Sequence, residues 1–214
     1  RPLRFLVPLY KNSRAGRLKL KLGLSLYDLL AGQSPGMGGH RYFSQEGMAS
    51  EFPFLENRDL TGGFTYLDAL TDDARCTLEV AVGAKLAGAC ALNYIRVDEL
   101  LSSEKGVHGA AVTDLESGAT AEIKAKITVN AAGPWAAKLS GLNPTPVRFT
   151  KGVHIVLPPM TGSTAVLLTA RSDGRVFFLI PWYGATLVGT TDTDYADDPE
   201  TVKVEKSDVE YLLT

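Results

Sequence analysis

Residues 127–135, ITVNAAGPW, lay out a strand, a glycine turn and the start of a helix in one short stretch. The β-branched opening reads as a buried strand, and the small residues Ala131, Ala132 and Gly133 let backbone approach a ligand closely. A helix starting near Pro134 would aim its first amides at a phosphate. A tight strand-to-helix turn with no ligand fits the same letters, so the neighbouring segments have to decide.

Upstream, AEIKAKITVNA (121–131) follows VHGAAVTDL (107–115), and the ESGAT between them marks a hairpin turn at Ser117 and Gly118. Further back, TDDARCTLEVAVGAKLAG (71–88) reads as a helix capped by Asp72, favoured at its positive end by Asp73 and closed by Gly88. Its Leu78, Val82 and Leu86 share a face that should pack on another element. With Asp72 and Asp73 explained by capping and the dipole, Asp72, Asp73 and Arg75 are not taken as a catalytic cluster. CALNYIRV (90–97) follows as a strand, and helix-then-strand is the unit from which parallel sheets are built.

Downstream of AAGPWAAKLSG, a short amphipathic helix, strands are expected in VRFTKGVHIVLP (147–158), STAVLLTA (163–170), GRVFFLIPW (174–182) and ATLVGTT (185–191). The turn signals Asp173-Gly174 and Tyr183-Gly184 separate the later ones, which implies a large antiparallel or mixed sheet. Near the start, LKLKLGLSL (18–26) alternates like a strand, yet Leu18, Leu22, Leu26, Leu29 and Leu30 also form a helical stripe, and helix is the reading taken over 18–30. GQSPGMGGH (32–40) reads as a loop. The fold class is therefore mixed α/β and α+β. Residue 1 is not methionine, and SDVEYLLT (207–214) reads as a helix capped by Ser207 with no stop signal, so an internal segment of a longer protein is expected.

Hydrophobic content of 45%, 21% charged residues and 21 glycines are ordinary for a globular chain and argue against disorder. No apolar run approaches the roughly 18–20 residues of a membrane-spanning helix. Cys76 and Cys90 sit in segments that read as buried helix and strand, which suggests a reducing, cytoplasmic setting. His40, His108 and His154 have no cysteine or carboxylate at a ligand spacing, so no metal is expected. The net charge of -2 hides an asymmetry: Arg1, Arg4, Lys11, Arg14, Arg17, Lys19 and Lys21 all precede the first acid, Asp28. A solvated face explains this as well as a contact does. If it is a contact, an anionic membrane surface met by residues 1–21, on the inner face of the cytoplasmic membrane, is the partner to test, and no nucleic-acid partner is expected.

Seven segments carry a resemblance in this order: RPLRFLVPLYK, GLSLYDLLAG, TDDARCTLEVA, VNAAGPWA, TKGVHIVLP, RVFFLIPW and LVGTTDTDY. Together they closely resemble the FAD-dependent glycerol-3-phosphate dehydrogenases of aerobic type, within the D-amino-acid-oxidase-like superfamily of FAD-dependent oxidoreductases. The resemblance implies oxidation of sn-glycerol 3-phosphate to dihydroxyacetone phosphate, with a hydride passing from substrate C2 to FAD and electrons leaving to quinone. It also implies that residues 1–70 and 142–214 form mainly a substrate-binding or cap domain, and 71–141 the remaining part of a split FAD-binding α/β region.

In such enzymes a glycine-rich loop clamps FAD, and no G-x-G-x-x-G between a strand and a helix occurs here; GMGGH (36–40) has neither neighbour. An arginine-containing segment and a G-G-K-x-T-T-Y-R-like segment of the family pattern are also missing. On these grounds this chain by itself is expected neither to retain FAD nor to catalyse. What the resemblance carries over is Val97, whose backbone would meet the adenine ring, and Ala132, Gly133 and Trp135 as a flavin-facing loop. Each has a purely structural alternative, a core valine or a packed tryptophan.

On the substrate side the candidates are one of Lys151, as the phosphate partner, and His154, as a polar contact, with Arg175 weaker; a hydrogen-bonded half-buried histidine at 154 and a turn-flanking surface charge at 175 are the structural alternatives. Residues 151 and 154 project to opposite faces of an unbroken strand, so both can line one pocket only if Gly152 makes a bend. Thr190, Thr191 and Asp192 are read as loop support. A related FAD-dependent amine or amino-acid oxidase, and a β-rich binding module without redox chemistry, remain as alternatives.

Overall fold

The computed structural model describes residues 1–32, 38–140, 148–170 and 172–213. In chain order these form β1 (Pro2–Tyr10), α1 (Arg17–Ala31), β2 (Arg41–Ser44), α2 (Gln45–Glu51), β3 (Leu60–Ala69), α3 (Asp73–Leu86), β4 (Ile95–Ser103), β5 (Gly106–Asp114) and β6 (Thr120–Lys124). There follow α4 (Ala136–Ser140), β7 (Thr150–Lys151), β8 (His154–Leu157), β9 (Thr164–Thr169), β10 (Val176–Trp182), β11 (Ala185–Gly189), β12 (Thr193–Asp194) and α5 (Lys206–Leu213). The chain divides into two compact units, one of residues 1–71, 151–193 and 203–214, the other of 72–150 and 194–202.

The first unit is built on a seven-stranded sheet in the order β2-β3-β1-β9-β10-β11-β8. β1 and β9 pair in parallel and every other neighbour is antiparallel, which makes this the large mixed sheet expected. Tyr183 and Gly184, both at positive φ, turn β10 directly into β11, with Trp182 facing Ala185 across a two-residue hairpin.

Alternation along β1 supplies both sides of the core. Leu3, Phe5 and Leu9 point one way and Leu6 the other. Leu6 meets Met48 of α2, with Phe52, Leu55, Leu60 and Val166. Leu9 and Phe64 meet Leu24 of α1 on the opposite side. Gly63 is required here: a Cβ would lie 2.5 Å from the Met48 methyl and 2.8 Å from the Val7 carbonyl. The cation-rich start of the chain, for which no strand was expected, forms β1 near the middle of the sheet. Arg1, Arg4 and Lys11 stay exposed while Leu3, Phe5, Leu6 and Leu9 between them are buried.

α1 forms as expected, but its buried face is not the leucine stripe. Leu24 is buried, with Leu20 and Tyr27 beside it, whereas Leu18, Leu22, Leu26, Leu29 and Leu30 are between 56% and 78% exposed. α5 starts at Lys206, one residue before the expected cap Ser207, and its N-terminal amide is held by Asp208, whose carboxylate accepts from the Glu205 N–H at 2.9 Å.

The second unit contains the antiparallel sheet β4-β5-β6 and α3. The hairpin at Ser117 and Gly118 forms, with Gly118 at φ +73 and the Asp114 carboxylate accepting from the Ser117 hydroxyl at 2.6 Å. Asp72 caps α3 as read, accepting from the Arg75 N–H at 3.1 Å.

Four expectations fail here. The strand expected at 90–97 begins only at Ile95 and pairs antiparallel with β5, because the two residues between β4 and β5 return the chain locally and leave no crossover for a parallel unit. All of α3 is exposed, including Leu78, Val82 and Leu86, so among the described residues nothing covers the face expected to pack. Cys76 and Cys90 are exposed rather than buried for the same reason. The strand through Ile127 to Ala131 is absent: β6 stops at Lys124 opposite Gly109, Ala125 makes a final bond to the His108 carbonyl, and β5 then runs out into its turn to β4. Ile127 and Val129 are each 81% exposed as a result. The loop expected over 32–40 and the boundary near 142 fall largely on residues outside those described.

Candidate functional site

The expected substrate-side residues all lie in the first unit. The strand VRFTKGVHIVLP is broken where a bend was required, with β7 ending at Lys151, Gly152 and Val153 outside any strand, and β8 starting at His154. Thr191 fixes the break, since its hydroxyl accepts from the Val153 N–H at 2.9 Å and is itself buried. Thr190 makes the glycine at 152 necessary, because a Cβ there would lie 2.6 Å from its hydroxyl. Loop support by Thr190 and Thr191 is thus what the structure shows.

The break sends the two side chains to different partners. Lys151 is 7% exposed, and its ammonium donates to Asp208 Oδ2 at 2.8 Å and the Lys203 carbonyl at 3.3 Å, with Glu205 Oε1 at 3.8 Å. The Lys151 hydrogen bond holds the Asp208 carboxyl below its ordinary range, against the burial that pushes it up. His154 is exposed and stands opposite Gly189 of β11. A Cβ on Gly189 would lie 2.5 Å from His154 Cδ2, so the imidazole rests on bare backbone.

Arg175 is also engaged. Its Nε donates to Asp173 Oδ2 at 2.6 Å, its Nη1 donates to the Asp192 carbonyl, and its guanidinium lies 4.6 Å from the centre of the Tyr211 ring. Tyr211 donates to Asp173 Oδ1 at 3.2 Å. The Arg175 backbone amide, ahead of its side chain, draws the Asp173 carboxyl down, and the hydrogen bond to Asp173 raises Arg175 in turn.

Asp208 and Tyr211 were missed from sequence. Asp208 has a local partner only in the Glu205 N–H, and the side chains that place the two residues at the site, Lys151 for Asp208 and Asp173 and Arg175 for Tyr211, are dozens of positions away.

The expected cofactor-side residues lie in the second unit. Val97 pairs with Val112 beside an irregularity at Asp98, whose carboxylate accepts from the Thr113 hydroxyl and from Arg96, both at 2.6 Å. Ala132 leads into a 3-10 turn at Gly133–Trp135. Asn130 ties this turn together: its carbonyl oxygen accepts from the Ala132 N–H at 3.2 Å and its amide donates to the Ala136 carbonyl at 2.9 Å. Gly133 has φ +53, and a Cβ there would meet nothing within 4 Å. Val97 and Trp135 are each 40% exposed.

An open glycine backbone, a half-exposed valine and a half-exposed indole suit a flat cofactor lying against them. They supply no cationic contact for its phosphates. Among the described residues no group of histidine, cysteine and carboxylate side chains could hold a metal.

A family model described as FAD dependent oxidoreductase matches residues 2–214. The chain is 35% identical over 97% of its length to the alpha-glycerophosphate oxidase of Streptococcus pneumoniae, covering 36% of that protein. It is 37% identical, again over 97%, to the aerobic glycerol-3-phosphate dehydrogenase of Staphylococcus epidermidis, covering 38% of that protein. Among solved structures, the glycerol-3-phosphate dehydrogenase from Bacillus halodurans in complex with FAD superposes with a TM-score of 0.80 at 31% identity, over 100% of this chain and 38% of that one. L-proline dehydrogenase from P. horikoshii matches with a TM-score of 0.70 at 18% identity, over 99% of this chain and 54% of that one, a likeness of fold alone. The chain spans little more than a third of the length of these curated relatives.

Proposed function

Because the chain belongs to the FAD-dependent oxidoreductase family, we propose that an enzyme containing it oxidises sn-glycerol 3-phosphate to dihydroxyacetone phosphate and passes the electrons to quinone at the inner face of the cytoplasmic membrane. The observation that carries this reading is the 37% identity, over nearly the whole chain, to an aerobic glycerol-3-phosphate dehydrogenase. FAD, when bound, supplies the hydride acceptor for substrate C2.

In this reading the residues of the second unit form one wall of the flavin site. Val97 offers backbone to the adenine, the open Ala132–Gly133 backbone admits the ring system, and Trp135 shields it from water. In the first unit His154 is the polar contact for substrate, since its ring is exposed and held on the Gly189 backbone. Lys151 is buried against Asp208 and could reach a phosphate only by leaving it, while Arg175 already holds Asp173 through Nε and the Asp192 carbonyl through Nη1. Both are assigned first to holding the first unit together and only then to substrate.

Anaerobic addition of sn-glycerol 3-phosphate to the complete flavoenzyme should bleach the flavin absorbance. Bleaching by an amino acid and not by glycerol 3-phosphate would overturn this reading in favour of an amine or amino-acid oxidase. Reoxidation of the bleached enzyme by a quinone analogue, compared with dissolved oxygen, tests the acceptor. Flavin titrated against residues 1–214 alone should show no binding in the micromolar range, which corresponds to about -8 kcal/mol.

A further inference from the structure

We propose that Lys151 and Arg175 are positioning residues for His154. Held by Asp208 and Tyr211 of α5, they fix the chain around the imidazole and act on substrate through it rather than by touching substrate themselves. This deepens the function proposed above and rests on its assignment of His154 as the polar contact for substrate.

His154 stands where the sheet stops holding the chain. β8 pairs with β11 from Leu157 opposite Thr186 to His154 opposite Gly189, so His154 is the last rung of that ladder. A terminal rung frays unless the residues beyond it are held. Beyond it lie Val153 and Gly152, outside any strand. Thr191 supplies the nearest restraint. Its N–H donates to the Val153 carbonyl at 3.2 Å, and its hydroxyl accepts from the Val153 N–H at 2.9 Å and donates to the Lys151 carbonyl at 3.5 Å. That restraint is only as firm as the residues on which it ends, Lys151 on one segment and Asp192, next to Thr191, on the other.

α5 grips both ends. The Lys151 ammonium is buried against Asp208 Oδ2 at 2.8 Å. The Asp192 carbonyl accepts from Arg175 Nη1, and the guanidinium is aimed by Asp173 Oδ2, 2.6 Å from Nε, and by the Tyr211 ring beneath it. The Tyr211 hydroxyl donates to the other Asp173 oxygen at 3.2 Å, and Arg14 donates to the Asp173 carbonyl at 3.3 Å. Asp208 and Tyr211 are three residues apart and therefore neighbours on one face of the helix. One turn of α5 thus grips the segment that carries His154 and the segment that carries Gly189.

The chemistry of this grip favours geometry over stability. Burial of Lys151 and Asp208 costs desolvation that their attraction largely cancels, so an apolar pair of similar volume would serve the core as well. It would not fix the Lys151 backbone. Arg175 reaches a carboxylate and a carbonyl together through a planar fork that lysine lacks. His154 needs this precision, because its ring rests on bare backbone at Gly189, where a Cβ would lie 2.5 Å from Cδ2.

The test is a double-mutant cycle in the complete flavoenzyme. Lys151→Met/Asp208→Leu removes both charges of the buried pair and keeps its bulk. Arg175→Lys keeps a cation and loses the fork. Each is made alone and together with His154→Ala. The melting temperature and the oxidised flavin spectrum should stay near those of wild type. KM for glycerol 3-phosphate, and the Kd of dihydroxyacetone phosphate read from the flavin absorbance, should each rise about fivefold or more, with kcat changed less. In the His154→Ala background neither variant should add to the loss. Arg175 is partly exposed, so Arg175→Lys carries the test by itself if the paired variant does not fold.

Unchanged KM and Kd in a folded Lys151→Met/Asp208→Leu enzyme would leave that pair to the core and overturn its positioning role. Losses of the same size with and without His154 would mean that Lys151 or Arg175 meets the substrate directly, which also overturns the inference. A wild type that glycerol 3-phosphate does not reduce would instead overturn the function proposed above, and the substrate role of His154 with it.

Discussion

The unit of residues 1–71, 151–193 and 203–214 and the unit of 72–150 and 194–202 have similarly apolar sequences and very different interiors. The first closes Leu6, Met48, Leu60, Phe64 and Val166 to water on both sides of β1. In the second, Val112 is the only buried large apolar side chain among the described residues. Leu78, Val82 and Leu86 repeat along α3 as regularly as leucines do along α1, yet no residue of α3 is buried. An apolar stripe says that a face gains from being covered. It carries no information about which element covers it, and α1 makes the point twice, with one apolar face packed and one open.

Core truncation should separate the two units most sharply. Phe64→Ala, beneath both Leu9 and Leu24, should cost about 3–5 kcal/mol in chemical denaturation. If that loss were under about 1 kcal/mol, the contrast between the units would disappear.

The next largest effect tests the polar part of the first unit. Lys151→Met strands the buried Asp208 carboxylate and should cost about 3 kcal/mol. The same pair sets a pH dependence. The folded-state pKa of Asp208 is depressed, so its contribution is present above the unfolded carboxylate pKa of about 4 and is lost as pH falls through the lower folded value. Asp208→Asn should flatten that stretch of the acid-unfolding curve and leave stability near neutral pH insensitive to small pH changes. A curve as steep as that of wild type would show that the pair does not titrate as described.

Thr191→Val removes the acceptor for the buried Val153 N–H and should cost about 1–2 kcal/mol. In the complete enzyme it should also raise KM for glycerol 3-phosphate more than it lowers kcat, since the break at Gly152 positions His154. The smallest change belongs to the second unit. Leu78→Ala on the open face of α3 should shift the stability of residues 1–214 by no more than about 0.5 kcal/mol. A larger loss would mean that this face is packed after all.

Much of the fold could be read directly. The mixed sheet followed from strands separated by Asp173-Gly174 and Tyr183-Gly184, and the hairpin at Ser117 and Gly118 formed where glycine permits positive φ. Capping of α3 by Asp72 was legible because a cap and its amide are three residues apart. β1 was not, since a strand buried on both faces shows no clean alternation, and Pro2, Pro8 and the charges of Arg1, Arg4 and Lys11 interrupt its apolar run. ITVNAAGPW misled for a related reason. β-branched residues favour a strand, but a ladder also needs a neighbour, and β5 ends before Ile127 can find one.

The candidate site divides the same way. The need for a bend at Gly152 was apparent from the parity of residues 151 and 154. That Lys151 turns inward to Asp208 while His154 lies over Gly189 was not.

The sequence by itself determined the family, the later strands with their turns at Asp173-Gly174 and Tyr183-Gly184, the hairpin at Ser117-Gly118, and which residues could be small, charged or capping, because these depend on side-chain chemistry and neighbours a few positions away. Only the tertiary structure decided which leucines of α1 face inward, which cation is neutralised and by what, and where a strand stops for lack of a partner. Those outcomes are set by contacts between residues such as Lys151 and Asp208, far apart along the chain, and no local pattern encodes them.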